Sequence, residues 1–97
     1  MSVAQTYILN AASGREAEAL AVLERMAAAV RPLPGCESVT VLQDEKRPQR
    51  FIFIEIFVDA AAHMASGPLM PKEILSALSA VLDGAPDGST YTIVADL

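Results

Sequence analysis

The sequence predicts an α+β fold: a four-stranded antiparallel sheet with its helices on one face. Three observations predict it. Segments with a side-chain period of two alternate with segments of helical period in the order β-α-β-β-α-β. The two central strand-like segments are separated by the charged run Asp44-Glu45-Lys46-Arg47-Pro48 and Gln49, as in a hairpin. Gly and Pro punctuate the ends of both helical regions. This order is the split βαβ arrangement of ferredoxin-like domains.

Val3 to Asn10 alternates, with Val3, Gln5, Tyr7 and Leu9 on one face and Ala4, Thr6, Ile8 and Asn10 on the other, which predicts the first strand. Ser13-Gly14-Arg15-Glu16 has the S-x-x-E form of a capping box, so a helix is expected to start there. Leu20, Leu23, Ala27 and Val30 make its apolar stripe and Arg15, Glu18 and Arg25 its outer face. The helix closes at Arg31, before Pro32 and Pro34. Pro34-Gly35 forms a turn, and β-favouring alternation from Cys36 to Gln43 predicts strand two. Arg50 to Val58 is the most strongly strand-like segment. A second helical region opens after Asp59, breaks at Gly67-Pro68, and restarts at Pro71 ahead of Ile74, Leu75, Leu78, Val81 and Leu82. Asp83-Gly84 ends it, Ala85-Pro86-Asp87-Gly88 reads as a turn, and Thr90 to Ala95 as the last strand. With no repeat and no linker, residues 1–97 are expected to form one domain.

Strand three is apolar on both sides, with Ile52, Ile54, Ile56 and Val58 on one face and Phe51, Phe53, Glu55 and Phe57 on the other. A sheet with one solvated face alternates apolar with polar, so something is expected to cover both faces here. The helices take one. The phenylalanine face is expected to meet its counterpart in a second copy, giving a twofold homodimer that closes into an α/β barrel.

Composition removes several functions. Lys and Arg number 7 against 12 Asp and Glu, a net charge of −5, which lacks the basic surface that nucleic-acid binding requires. The densest apolar run, Phe51 to Val58, is too short to span a bilayer and carries Glu55, so no membrane role is expected. One Cys and one His fall short of a thiolate or imidazole metal set, and no Gly-rich phosphate loop occurs. A lone Cys36 and an N-terminus without a basic start and apolar run point to the cytoplasm. Cys36 has no basic neighbour in its strand and is not expected to be a nucleophile.

Glu55 is the most informative residue, because an ionised carboxylate among phenylalanines is strongly disfavoured unless paired. As a functional group it is a general base or acid with a raised pKa facing a pocket. As a structural group it pairs across the dimer with an Arg such as Arg50, or bonds to Tyr7 or Tyr91. Tyr7, Phe51, Phe53, Phe57, Met64 and Met70 either line a pocket for a planar apolar ligand or fill the dimer core.

The chain resembles the antibiotic biosynthesis monooxygenase family of dimeric α/β barrels. The resemblance rests on the opening strand, the Gly before helix one, Pro34-Gly35-Cys36 before strand two, and Phe53-Ile54-Glu55-Ile56-Phe57-Val58-Asp59 leading to Ala62-His63-Met64-Ala65-Ser66. The family pattern is E-x-W at the end of strand three, then a helix with H-x-x-S. Phe57 stands where the family usually has Trp, and the stretch from Glu55 to His63 is roughly one helical turn shorter. The resemblance implies an oxygenase of small aromatic hydroquinones or phenols that uses O₂ without a cofactor, with Glu55 and His63 as catalytic residues. His63 also reads as a surface residue flanking a short helix. Haem-degrading relatives carry a strand-one Asn, to which Asn10 is similar, but counting back from Gly14 puts that position nearer Tyr7. Glu73 stands where their axial ligand falls, so haem is not expected. Two other uses of such a barrel stay open: a non-catalytic module that binds a small ligand or is purely structural, and a cofactor-independent isomerase or decarboxylase.

Overall fold

Strict period-two alternation becomes strand in the structure, a computed structural model that describes residues 1–97. The strands are β1 (Val3–Asn10), β2 (Cys36–Gln43), β3 (Arg50–Phe57) and β4 (Asp87–Thr92). They lie side by side as β2-β3-β1-β4, each pair antiparallel. The helices are α1 (Glu16–Val30), α2 (Ala60–Ser66) and α3 (Lys72–Val81), with a 3₁₀ turn at Gly67–Leu69 where the Gly67-Pro68 break was predicted. This is the ferredoxin-like architecture. No helix is long and apolar enough to cross a membrane.

The core lies between the sheet and the helices. Val3 and Leu9 of β1 and Phe51, Phe53 and Phe57 of β3 meet Ala19, Val22, Leu23, Met26 and Val30 of α1 and Ile74, Leu78 and Val81 of α3. The phenylalanine face is therefore the helix-covered one, which corrects the expectation that it faces a second copy. Phe51, Phe53 and Phe57 have 0% exposure, and each stabilises the chain by about 1.5–3 kcal/mol through burial. Ile52, Ile54 and Ile56 are left half-buried on the open face, flanked by the more exposed Leu42 and Val58. A strand apolar on both sides carries no internal signal of which side the helices take. The bulkier rings fill the deeper space.

Two local readings also change. The capping box does not form: α1 begins at Glu16, with Arg15 as its N-cap and no side-chain cap. Gly14, at φ +77°, turns the chain, and Arg15 N–H donates to Ala12 O at 2.9 Å. Ser13 thus sits too early to reach the third helical residue. Arg15 instead pairs with Glu18 at 2.8 Å. The last strand runs Asp87–Thr92 rather than Thr90 to Ala95, starting earlier because Gly88 belongs to the ladder opposite Tyr7 and ending where the pairing with β1 stops at Val3. A Cβ at Gly88 would lie 3.2 Å from the Tyr7 ring, so close approach, not turn geometry, accounts for this glycine.

Gly35 fixes the position of α2. Its φ is +81°, and a Cβ there would lie 2.6 Å from Ala62 Cβ and 3.2 Å from Val58 Cγ2. Gly35→Ala combines backbone strain with a clash against α2 and is expected to cost about 2–4 kcal/mol. A urea midpoint equal to that of the unaltered protein would contradict this.

Candidate active site

The antiparallel register of β1 and β3 sets Gln5 opposite Glu55 and Tyr7 opposite Phe53. All four side chains point beneath the helices, so the alternation that builds the core also delivers a carboxyl, an amide and a phenol into it. Asp59 starts α2 by accepting a hydrogen bond from Ala62 N–H at 2.8 Å. One turn on, α2 brings His63 over the edge of β3. His63 Nε2 lies 3.8 Å from Glu55 Oε2, and its ring centroid is 5.5 Å from that of Phe57.

Glu55 is 7% exposed. No Lys or Arg pairs with it, and His63 is the only side chain at ion-pair distance. Burial alone pushes its pKa up to about 7. Within the chain, none of Arg50, Tyr7 and Tyr91 bonds to Glu55. Arg50 and Tyr91 belong to the opposite face of the sheet, since Arg50 alternates with Glu55 along β3 and Tyr91 pairs with Ala4. Tyr7 shares the face of Glu55 without a hydrogen bond to it. Its phenol is held above the usual tyrosine range, first by burial and then by the nearby Glu55 charge.

A cavity of about 140 Å³ opens at this point between sheet and helices. Tyr7, Leu9 and Glu55 form its floor, with Met26 of α1, Met70 after the 3₁₀ turn, Leu75 and Leu78 of α3, and Pro86 closing it. Of the eight residues singled out in the sequence, Tyr7, Glu55 and Met70 border this cavity, and His63 reaches it through Glu55. Phe51, Phe53 and Phe57 are enclosed behind it and Met64 is 77% exposed, so none of these four meets the cavity. Burial raises the Cys36 thiol pKa despite the opposing Arg31 charge, which fits a non-nucleophilic cysteine.

Gln5, opposite Glu55 in the register, is a buried polar residue that the sequence analysis does not single out, and it stands outside the cavity lining. It is 6% exposed, accepts a hydrogen bond from Thr90 Oγ1 and donates to Thr6 O at 3.3 Å. The signal was present in its place on the apolar face of β1. Met26, Leu75, Leu78 and Pro86 gave no such signal, since aliphatic side chains on helices read as ordinary core.

The profile of the antibiotic biosynthesis monooxygenase family matches residues 1–67. The chain belongs to this family. The matched stretch contains Tyr7, Glu55 and His63 and stops before α3 and β4. Among solved structures, SnoaB, a cofactor-independent oxygenase from Streptomyces nogalater, superposes with a TM-score of 0.83 at 21% identity, covering 99% of this chain and 96% of that one. A family protein from Caulobacter crescentus gives 0.84 at 20% identity, over 97% and 91% of the two chains. Another from Bordetella bronchiseptica gives 0.80 at 17%, over 97% and 98%. At these identities the likeness establishes the shared fold. No curated protein matches the chain.

Proposed function

We propose that this antibiotic biosynthesis monooxygenase-type chain is a cytoplasmic homodimer that oxygenates a small phenol or hydroquinone with O₂ and no prosthetic group. Glu55 carries the reading: a carboxyl at pKa about 7, bordering a cavity of one-ring size beside the Tyr7 phenol. A general base works best with a pKa near the operating pH, where it is substantially ionised yet basic enough to take a proton. The ionised carboxylate accepts the phenolic proton, and the resulting phenolate is electron-rich enough to react with O₂. One oxygen atom enters a free ring carbon activated by the phenolate, para to the hydroxyl of a phenol or ortho to one hydroxyl of a hydroquinone, and the other leaves as water. A phenol and O₂ thus give quinone and water, and a hydroquinone and O₂ give hydroxyquinone and water. His63, at 3.8 Å from Glu55, receives the proton in turn or steadies the carboxylate, and Tyr7 donates a hydrogen bond to a substrate oxygen. The largely apolar walls orient the ring and limit its contact with bulk water. The SnoaB likeness supports cofactor-free oxygenation, and the half-buried isoleucine face supports a second copy as its cover.

Oxygen uptake with a panel of phenols and hydroquinones tests this. The rate is expected to rise with pH through about 7 as Glu55 loses its proton. Compounds that raise the melting temperature without oxygen uptake would instead identify a binding module.

A further inference from the structure

The largest hollow on the molecule lies outside this cavity. It is a groove of about 480 Å³ between α3 and the turn that leads to β4. Three of its residues, Leu75, Leu78 and Pro86, also line the Glu55 cavity, so the two spaces stand back to back across one partition. The remaining walls are Ser79, Leu82, Gly84 and Ala85, without a charged group among them. Leu75 is 46% exposed, and an exposed side chain changes rotamer within nanoseconds.

Size gives the partition its meaning. Cavities of about 150 Å³ accept one benzene ring, and the cavity at Glu55 is about 140 Å³. A single ring fills it. For a ligand that is larger and still reaches Glu55, the groove past Leu75 is the adjoining space with uncharged walls. The proton-handling residues Tyr7, Glu55 and His63 fall within residues 1–67, whereas every groove residue lies beyond that stretch.

We infer that the groove is the outer half of the Glu55 site, and that the ligand is an amphiphile with one hydroxylated ring in the cavity and an uncharged alkyl tail in the groove. Leu75 is the movable element between the two halves. The ring half of this inference rests on the proposed reading of Glu55, and the tail half rests on the groove.

Isothermal titration with hydroquinone and with 2-alkylhydroquinones from methyl to octyl separates the two. Affinity is expected to increase about two- to fourfold per methylene until the groove is full. Ala85→Trp, which fills the groove from the turn, is expected to flatten this length dependence. Ser79→Trp does the same from α3 and serves if the first variant folds poorly. Hydroquinone binding with no gain along the series overturns the tail half and leaves the reading of Glu55 standing. A gain that survives both Trp variants puts the tail elsewhere and overturns it as well. Alkylbenzenes that bind as tightly as the matching hydroquinones overturn the ring half, and no binding by any compound overturns both.

Discussion

Glu55→Gln is expected to lower turnover by about 10²–10⁴-fold and, above neutral pH, to raise stability. The glutamine keeps shape and hydrogen-bonding capacity but accepts no proton, so the chemical step loses its base. The gain in stability follows from linkage. In the unfolded chain the carboxyl titrates near 4.5, and in the folded protein near 7. Below pH 4.5 it is neutral in both states and costs nothing. Between 4.5 and 7 the folded state retains a proton that the unfolded state has released, so stability falls as pH rises. Above 7 the carboxylate is ionised in both states, and the full desolvation cost of roughly 3 kcal/mol persists. The difference in unfolding free energy between variant and wild type should therefore grow from pH 4.5 to 7 and stay level at pH 8. A structural ion pair predicts the reverse, because removing one partner strands a buried cation at a cost of about 3–5 kcal/mol. Urea titrations at pH 4.5 and 8 decide the matter. A variant that is less stable at pH 8 would return Glu55 to a structural role, and one that turns over normally would remove it from the chemistry.

How legible each feature was depends on whether its signal is local. β1 reads correctly from end to end because one residue in two is committed to the core, and a register slip would move Val3 and Leu9 to the other face. β3 reads correctly as a strand, but its facing does not, since that depends on the distant stripes of α1 and α3. The S-x-x-E motif at Ser13 misleads because it is short, and the turn at Gly14 moves the helix start past it. Gly88 misleads for the opposite reason: a residue typical of turns lies in a strand where a Cβ would crowd the Tyr7 ring at 3.2 Å. Glu55 stands out from sequence alone because a carboxylate in an apolar strand contradicts its surroundings. The groove and its partition do not. They arise from how α3 lies over the sheet, which no single residue of Lys72–Val81 announces.

Adjacent substitutions in β3 are expected to have opposite consequences. Phe53→Asp should abolish folding, and Ile54→Asp should leave a folded monomer. Phe53 is 0% exposed between β1, β2 and the helices. Its loss forfeits about 3–5 kcal/mol of packing, and the carboxylate left in its place adds a desolvation penalty of several more. Together these approach the whole stability of a small domain, about 5–15 kcal/mol. Ile54 sits at the centre of the open face, between Thr6 of β1 and Thr40 of β2, and is half-buried within one chain. An aspartate there remains hydrated in the monomer, so the fold survives. In a twofold homodimer joined through this face, the same aspartate would be buried without a counter-charge in an apolar interface, where an unpaired charge is prohibitive. Light scattering should therefore find a dimer for the unaltered chain and a monomer with native far-ultraviolet circular dichroism for Ile54→Asp, while Phe53→Asp lacks that spectrum. An Ile54→Asp protein that stays dimeric would show that the isoleucine face is not the interface. A stable wild-type monomer at micromolar concentration would show that this face is tolerated in water, as the half-burial of Ile52, Ile54 and Ile56 by their own neighbours would then have to explain.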